Sequence, residues 1–136
     1  DLDLAKSQSN DNPVYYIQYA HARICSIFRL LKENGNEFHY NKKFLEFLSE
    51  EEELNIVKKL SFYPEVIKKS AEKHEPHLLT NYMRELAQEI HSYYNKFQIL
   101  VDDDNLRNAR LALIEASKHV LVNSSKIIGI NMPDKM

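Results

Sequence analysis

The chain has 136 residues, a length that fits one domain able to bury a core of its own. Hydrophobic residues make up 43% and charged residues 28%, and the net charge of −2 provides no overall basic field, so nucleic-acid binding would need a local site. Cys25 is the sole cysteine, which excludes an internal disulfide and suits a reducing, cytoplasmic setting, and no apolar run approaches the roughly 18 residues of a membrane span. Residues 1–10, "DLDLAKSQSN", lack the charged-then-apolar layout of a signal peptide. With no initiator Met, the chain reads as a piece of a longer one.

Only two glycines occur, Gly35 and Gly129, with four prolines at Pro13, Pro64, Pro76 and Pro133. So few breakers among abundant Leu, Lys, Glu and Ala favour an all-α domain. Asp11 and Asn12 offer N-caps, and Pro13 fits a first helical turn. Ile17, Ala20, Ile24, Ile27, Phe28 and Leu31 follow the helical period, and Gly35 is a natural stop. Residues 36–48 read as loop or as a short helix around "KKFLEFL". Ser49 with Glu52 resembles a capping box ahead of Leu54, Val57 and Leu60. Pro64 starts a helix to about Lys73, which "HEPH" breaks.

A long helix is expected from His77 to about Leu100, with Leu79, Met83, Leu86, Ile90 and Phe97 on one face. "DDD" at 102–104 caps the next helix, whose inner side carries Leu106, Leu113, Ser117, Val120 and Leu121. Arg110 falls on that apolar side, the place of a partly buried ion pair. A short segment, "SKIIGI", and the tail "NMPDKM" follow. The sum is a helical bundle of about five helices.

Several chemistries lack their residues. Two glycines cannot make a P-loop or a GxGxxG loop. Cys25 has no CxxC partner, and neither Glu-x-x-His nor HExxH occurs, so no familiar metal motif is expected. His74 and His77 could share a helix face, but Pro76 lies between them. "SEEEEL" and "DDD" are most simply acidic first turns.

At about 100° per residue, Ile17, Ala20, Ile24, Ile27 and Leu31 form a buried stripe. Tyr16, Tyr19 and Arg23 form a second cluster beside it. On the 77–100 helix, His91, Tyr94 and Gln98 flank the core stripe in the same way. If the two margins meet, rings and a guanidinium face a groove suited to a splayed single-stranded base. The plainer alternative is tyrosines at the core boundary with hydroxyls in water, and His21 and His91 as structural histidines. A protein-interaction bundle with tyrosine anchors is a rival, as is an enzyme whose site leaves no motif.

"DNPVYYIQYAHARI" resembles the start of the C-terminal anticodon-binding domain of arginyl-tRNA synthetases, the helical DALR-type domain. The resemblance continues through "HEPHLLTNYMRELAQEIHSYYN", "LRNARLALIEASKHVLVNSSKIIGI" and "MPDKM", and is weakest at about 34–60. It implies a class I synthetase that joins arginine to its tRNA using ATP with Mg, in a catalytic Rossmann domain upstream. Neither the HIGH nor the KMSK-type signature of that domain is present. The fragment is therefore expected to hold no catalytic residue, cofactor or metal. Residues 1–10 would connect to the upstream domain, and 11–136 would be the anticodon-binding domain.

The implied partners are the anticodon loop of arginine tRNA and the chain's own catalytic domain, with no membrane or DNA. The implied tRNA-binding residues are Tyr16, Tyr19, Arg23, Arg29, Tyr94, Gln98 and Met136. Arg29 matches in position but lies away from Tyr19 and Arg23 by helical angle. Gln98 stands where some members carry a ring. Met136, as last residue, matches the family's natural C-terminus.

Overall fold

The computed structural model describes residues 12–136; the expected connection at 1–10 and the cap at Asp11 lie outside them. Among the described residues there are five α-helices and no strand. Helix α1 spans Pro13–Glu33, α2 Glu51–Ser61, α3 Tyr63–Glu72, α4 Pro76–Lys96 and α5 Asp104–Ile128. A short 3-10 helix at Phe44–Phe47 occupies the "KKFLEFL" region.

Asn12 caps α1, its side-chain oxygen accepting from the Val14 amide at 3.1 Å, with Pro13 in the first turn. Gly35 follows the helix end with φ +77°, a left-handed setting that favours glycine. Asp103 caps α5 by accepting from Leu106 N at 2.9 Å. That helix runs further than the sequence suggested: "SKII" continues it, and Gly129, at φ +80°, ends it. Between α3 and α4 the break at "HEPH" is made by His74, which takes φ +53°.

Helix α4 is the hub, packing against each of the other four helices. Its Leu79, Met83, Leu86 and Ile90 meet Ile17, Ala20 and Ile24 of α1 and Leu113 and Leu121 of α5 in one buried cluster. Fully burying each large aliphatic side chain stabilises the fold by roughly 1.5–3 kcal/mol.

Two features of α2 differ from expectation. The capping box uses Glu50 and Glu53, not Ser49 and Glu52. Leu54 is 51% exposed, while Ile56 and Glu53 are fully buried. The reason is a buried ionic node. Glu53 Oε1 accepts from the amides of Ser49 at 3.2 Å and Glu50 at 3.0 Å. Its Oε2 accepts from the Tyr93 hydroxyl at 2.5 Å and from Arg110 Nε at 2.8 Å. A buried carboxylate is tolerated only with such partners, so the helix turns to present Glu53 inward. Arg110 is thus the buried ion-pair residue its position suggested.

The node also ends α4. Arg110 Nη1 donates to the Gln98 carbonyl at 2.7 Å, and its guanidinium lies 5.3 Å from the Phe97 ring centroid. Phe97 is extended, at φ −123° and ψ 146°, so the helix stops at Lys96 rather than near Leu100.

Candidate nucleic-acid interface

Helices α1 and α4 pack so that their polar margins meet along one seam. The central residue is Arg23. Its guanidinium carbon lies 4.5 Å from the Tyr19 ring centroid and 4.4 Å from that of Tyr94, one ring from each helix. Its Nη1 donates to His91 Nδ1 at 3.0 Å and to Asn95 Oδ1 at 3.4 Å. Each ring-to-guanidinium contact contributes about 0.5–2 kcal/mol, more as water is excluded.

His91 is what orients this stack. Its Nε2 lies 3.1 Å from the backbone oxygen of Tyr16, which can only accept, so Nε2 carries the proton and Nδ1 is free to accept from Arg23. Burial pushes the pKa of His91 down, and the Arg23 charge lowers it further, against the raising effect of the Tyr16 carbonyl bond. Neutral His91 therefore leaves the Arg23 charge uncancelled.

Tyr19, Arg23, Arg29, Tyr94 and Met136 line one open cleft of about 360 Å³, together with Ala22, Ser26 and Lys135. Tyr94 is 37% and Met136 52% exposed. Tyr19 also meets the His91 ring edge-on at 5.4 Å. Arg23, Arg29 and Lys135 give the cleft a positive character that the chain as a whole lacks.

Two of the expected residues stand elsewhere. Tyr16 lies behind the cleft, its ring 4.5 Å from that of His91 and packed against the core. Gln98 is past the end of α4 and donates to the Leu100 carbonyl at 3.1 Å, so it does not continue the His91–Tyr94 margin. Conversely, Arg29 joins Tyr19 and Arg23 despite its helical angle. The cleft has a third wall, the C-terminal tail, and Arg29 reaches it by donating to the Asp134 carbonyl at 3.0 Å.

That tail is fastened by residues whose role the sequence did not reveal. Gln18 Nε2 donates to the Asn131 carbonyl at 2.7 Å, and His21 Nδ1 lies 3.0 Å from the Pro133 oxygen. With Cys25 and Arg29, they form a stripe along α1 at helical spacing. The stripe lays Lys135 and Met136 against the cleft. Spacing alone shows the stripe, but not the backbone carbonyls that it meets. His21 and His91 each meet a backbone carbonyl across the fold, at Pro133 and Tyr16.

Comparison with known proteins agrees along the whole chain. The DALR anticodon binding domain family matches residues 17–136. The arginine–tRNA ligase of Legionella pneumophila (strain Corby) is 50% identical over 138 aligned residues, covering 100% of this chain and 24% of that protein. The arginine–tRNA ligase of Coxiella burnetii is 49% identical, covering 100% of this chain and 23% of its own length. The solved structure of Thermus thermophilus arginyl-tRNA synthetase superposes with a TM-score of 0.79 at 28% identity, over 98% of this chain and 23% of that one. The chain thus spans about a quarter of the length of these relatives. A helical bundle alone would be compatible with many families, but this match extends from the α1 margin to the tail that walls the cleft: the chain belongs to the family of DALR anticodon binding domains.

Proposed function

We propose that this chain is the anticodon-reading part of an arginine–tRNA ligase, and that the cleft between α1, α4 and the tail receives bases of the anticodon loop of arginine tRNA. One observation carries the reading: Tyr19, Arg23 and Tyr94, separated in sequence, converge on one open cleft that Arg29 and Met136 also line. Rings at a cleft margin offer π-faces to unstacked bases, and each stacked base contributes roughly 1–3 kcal/mol. Arg23 and Arg29 offer donors to a base edge or a phosphate. Tyr16 acts indirectly, by setting His91 behind Arg23. Gln98 is outside the cleft and is left out of the binding set.

In this reading, residues 11–136 are the binding domain and residues 1–10 lead to a catalytic domain upstream. ATP and Mg belong to that domain, and the fragment contributes binding and positioning, with no catalytic residue. Anticodon recognition here fixes where the acceptor end lies at the remote active site. The setting is the cytoplasm; among the described residues no helix is long and apolar enough to cross a membrane.

The test is a calorimetric titration with the anticodon stem–loop of arginine tRNA beside the same stem–loop with a scrambled anticodon. Tighter binding of the first, weakening as salt rises, is expected. Equal binding of both sends the reading back to a generic interaction surface.

A further inference from the structure

Where the tail meets α1, three side chains come together that the proposed binding of RNA does not use. They are His21, Cys25 and Asp134, whose ligating atoms all lie within 4.8 Å of one another. Cys25 Sγ is 3.7 Å from His21 Nε2 and 3.8 Å from Asp134 Oδ1. A zinc-class ion, at about 2.3 Å from sulfur and about 2.0–2.2 Å from nitrogen and oxygen, sets tetrahedral neighbours about 3.5 Å apart. The two spacings from Cys25 are within a few tenths of an ångström of a tetrahedral edge, and the exposed Asp134 carboxylate, within 4.8 Å of His21, has to swing inward to close the third.

The histidine is also prepared as a ligand. Its Nδ1 donates to the Pro133 carbonyl at 3.0 Å, which holds the ring and leaves Nε2 with the free lone pair. Cys25 Sγ lies beside the ring, 3.7 Å from Nε2 and 3.9 Å from Nδ1, and reaches a shared ion by rotation of its thiol. A backbone carbonyl on the far ring nitrogen is the usual outer support of a metal-binding histidine. His21 and Cys25 sit four residues apart on one turn-to-turn stripe of α1, while Asp134 is 109 positions beyond Cys25. No sequence motif contains such a set, because its third member is brought in only by the fold.

We propose that His21 Nε2, Cys25 Sγ and an Asp134 carboxylate oxygen bind a zinc-class divalent cation that fastens the C-terminal tail to α1. Sulfur and imidazole donors select zinc over magnesium or calcium, which take oxygen ligands. On binding, the thiol gives up its proton to solvent and the thiolate takes its place on the ion. Three protein ligands leave a fourth position for water. The ion would hold the tail one residue before Lys135 and two before Met136, fixing the third wall of the cleft.

The probe is Co²⁺, titrated into the whole chain with a phosphine reductant and no chelator. One equivalent should bind with a thiolate-to-cobalt charge-transfer band, and Zn²⁺ should displace it. Cys25→Ser should remove that band with helix content unchanged by circular dichroism. Asp134→Asn, on the exposed tail, should weaken Co²⁺ binding by more than the roughly tenfold typical of losing an outer-shell partner. Absence of a thiolate band, its persistence in Cys25→Ser, or unchanged affinity in Asp134→Asn would overturn the proposal. None of these readouts involves RNA, so they stand or fall separately from the anticodon reading.

Discussion

Arg110 and Arg23 bring the same side chain and the same tyrosine company to opposite ends. Arg110 is 7% exposed and bonds to Glu53, itself fully buried, beside the Tyr93 hydroxyl. Arg23 is half-buried, and its polar partners are His91 and Asn95, both neutral. In the first place, a carboxylate cancels the charge and the tyrosine contributes its hydroxyl. In the second, the rings contribute their faces and the charge is left for a visitor. A guanidinium paired to a carboxylate is fastening; one held by rings and a neutral imidazole is available. The difference lies in the partners and not in the arginine.

Glu53→Ala tests the comparison most severely. It leaves Arg110 buried without its counter-charge and three other donors without an acceptor, so a loss of about 3–5 kcal/mol is expected in urea unfolding. A loss below about 1 kcal/mol, the scale of an exposed pair, would put the node on a par with surface ion pairs.

Next comes Tyr19→Ala, which should reverse the pattern. Stem–loop binding should fall by roughly 1–3 kcal/mol while helix content by circular dichroism stays at the wild-type level. Tyr94→Ala, at the opposite ring of the sandwich, should behave alike. A stability loss with intact RNA binding would place these rings with Tyr93, as structural members.

The smallest effect concerns His91. Its folded pKa lies below the ordinary 6.5 because of burial and the Arg23 charge. The unfolded chain therefore takes up a proton first as pH falls, and stability is lost below about 6.5. Protonated His91 also has no lone pair for Arg23. Urea midpoints should fall below that pH in the wild type, and fall less in His91→Gln. A matching slope in both proteins would assign the pH dependence elsewhere.

The sequence made part of this plan legible. The buried stripe of α1, the caps at Asn12 and Asp103 and the Tyr19–Arg23 margin follow from local period, because each depends on residues within a few turns; that Tyr94 meets them depends on how α1 packs on α4. Gln98 was misplaced because no glycine or proline marks the end of α4; its carbonyl is taken by Arg110, a residue of another helix that local sequence does not bring to mind. The shifted capping box has the same origin, since Glu53 answers to Tyr93 and Arg110 as well as to its own helix start. Arg29 was judged against the α1–α4 seam alone, and the tail that completes the cleft is held by backbone oxygens that carry no residue identity to read.

Tyr93 and Tyr94 are adjacent in the chain, yet one is locked to Glu53 and the other faces Arg23. Consecutive positions on a helix point about 100° apart. The hydrogen bond from Tyr93 to the buried Glu53 carboxylate thereby sets the azimuth of α4 about its own axis, and with it the angle at which the neighbouring ring is held out. Rolling the helix by even part of a turn would break the Tyr93–Glu53 hydrogen bond and swing the exposed ring off its mark together, so rigidity in the dry half of the protein becomes aim in the wet half.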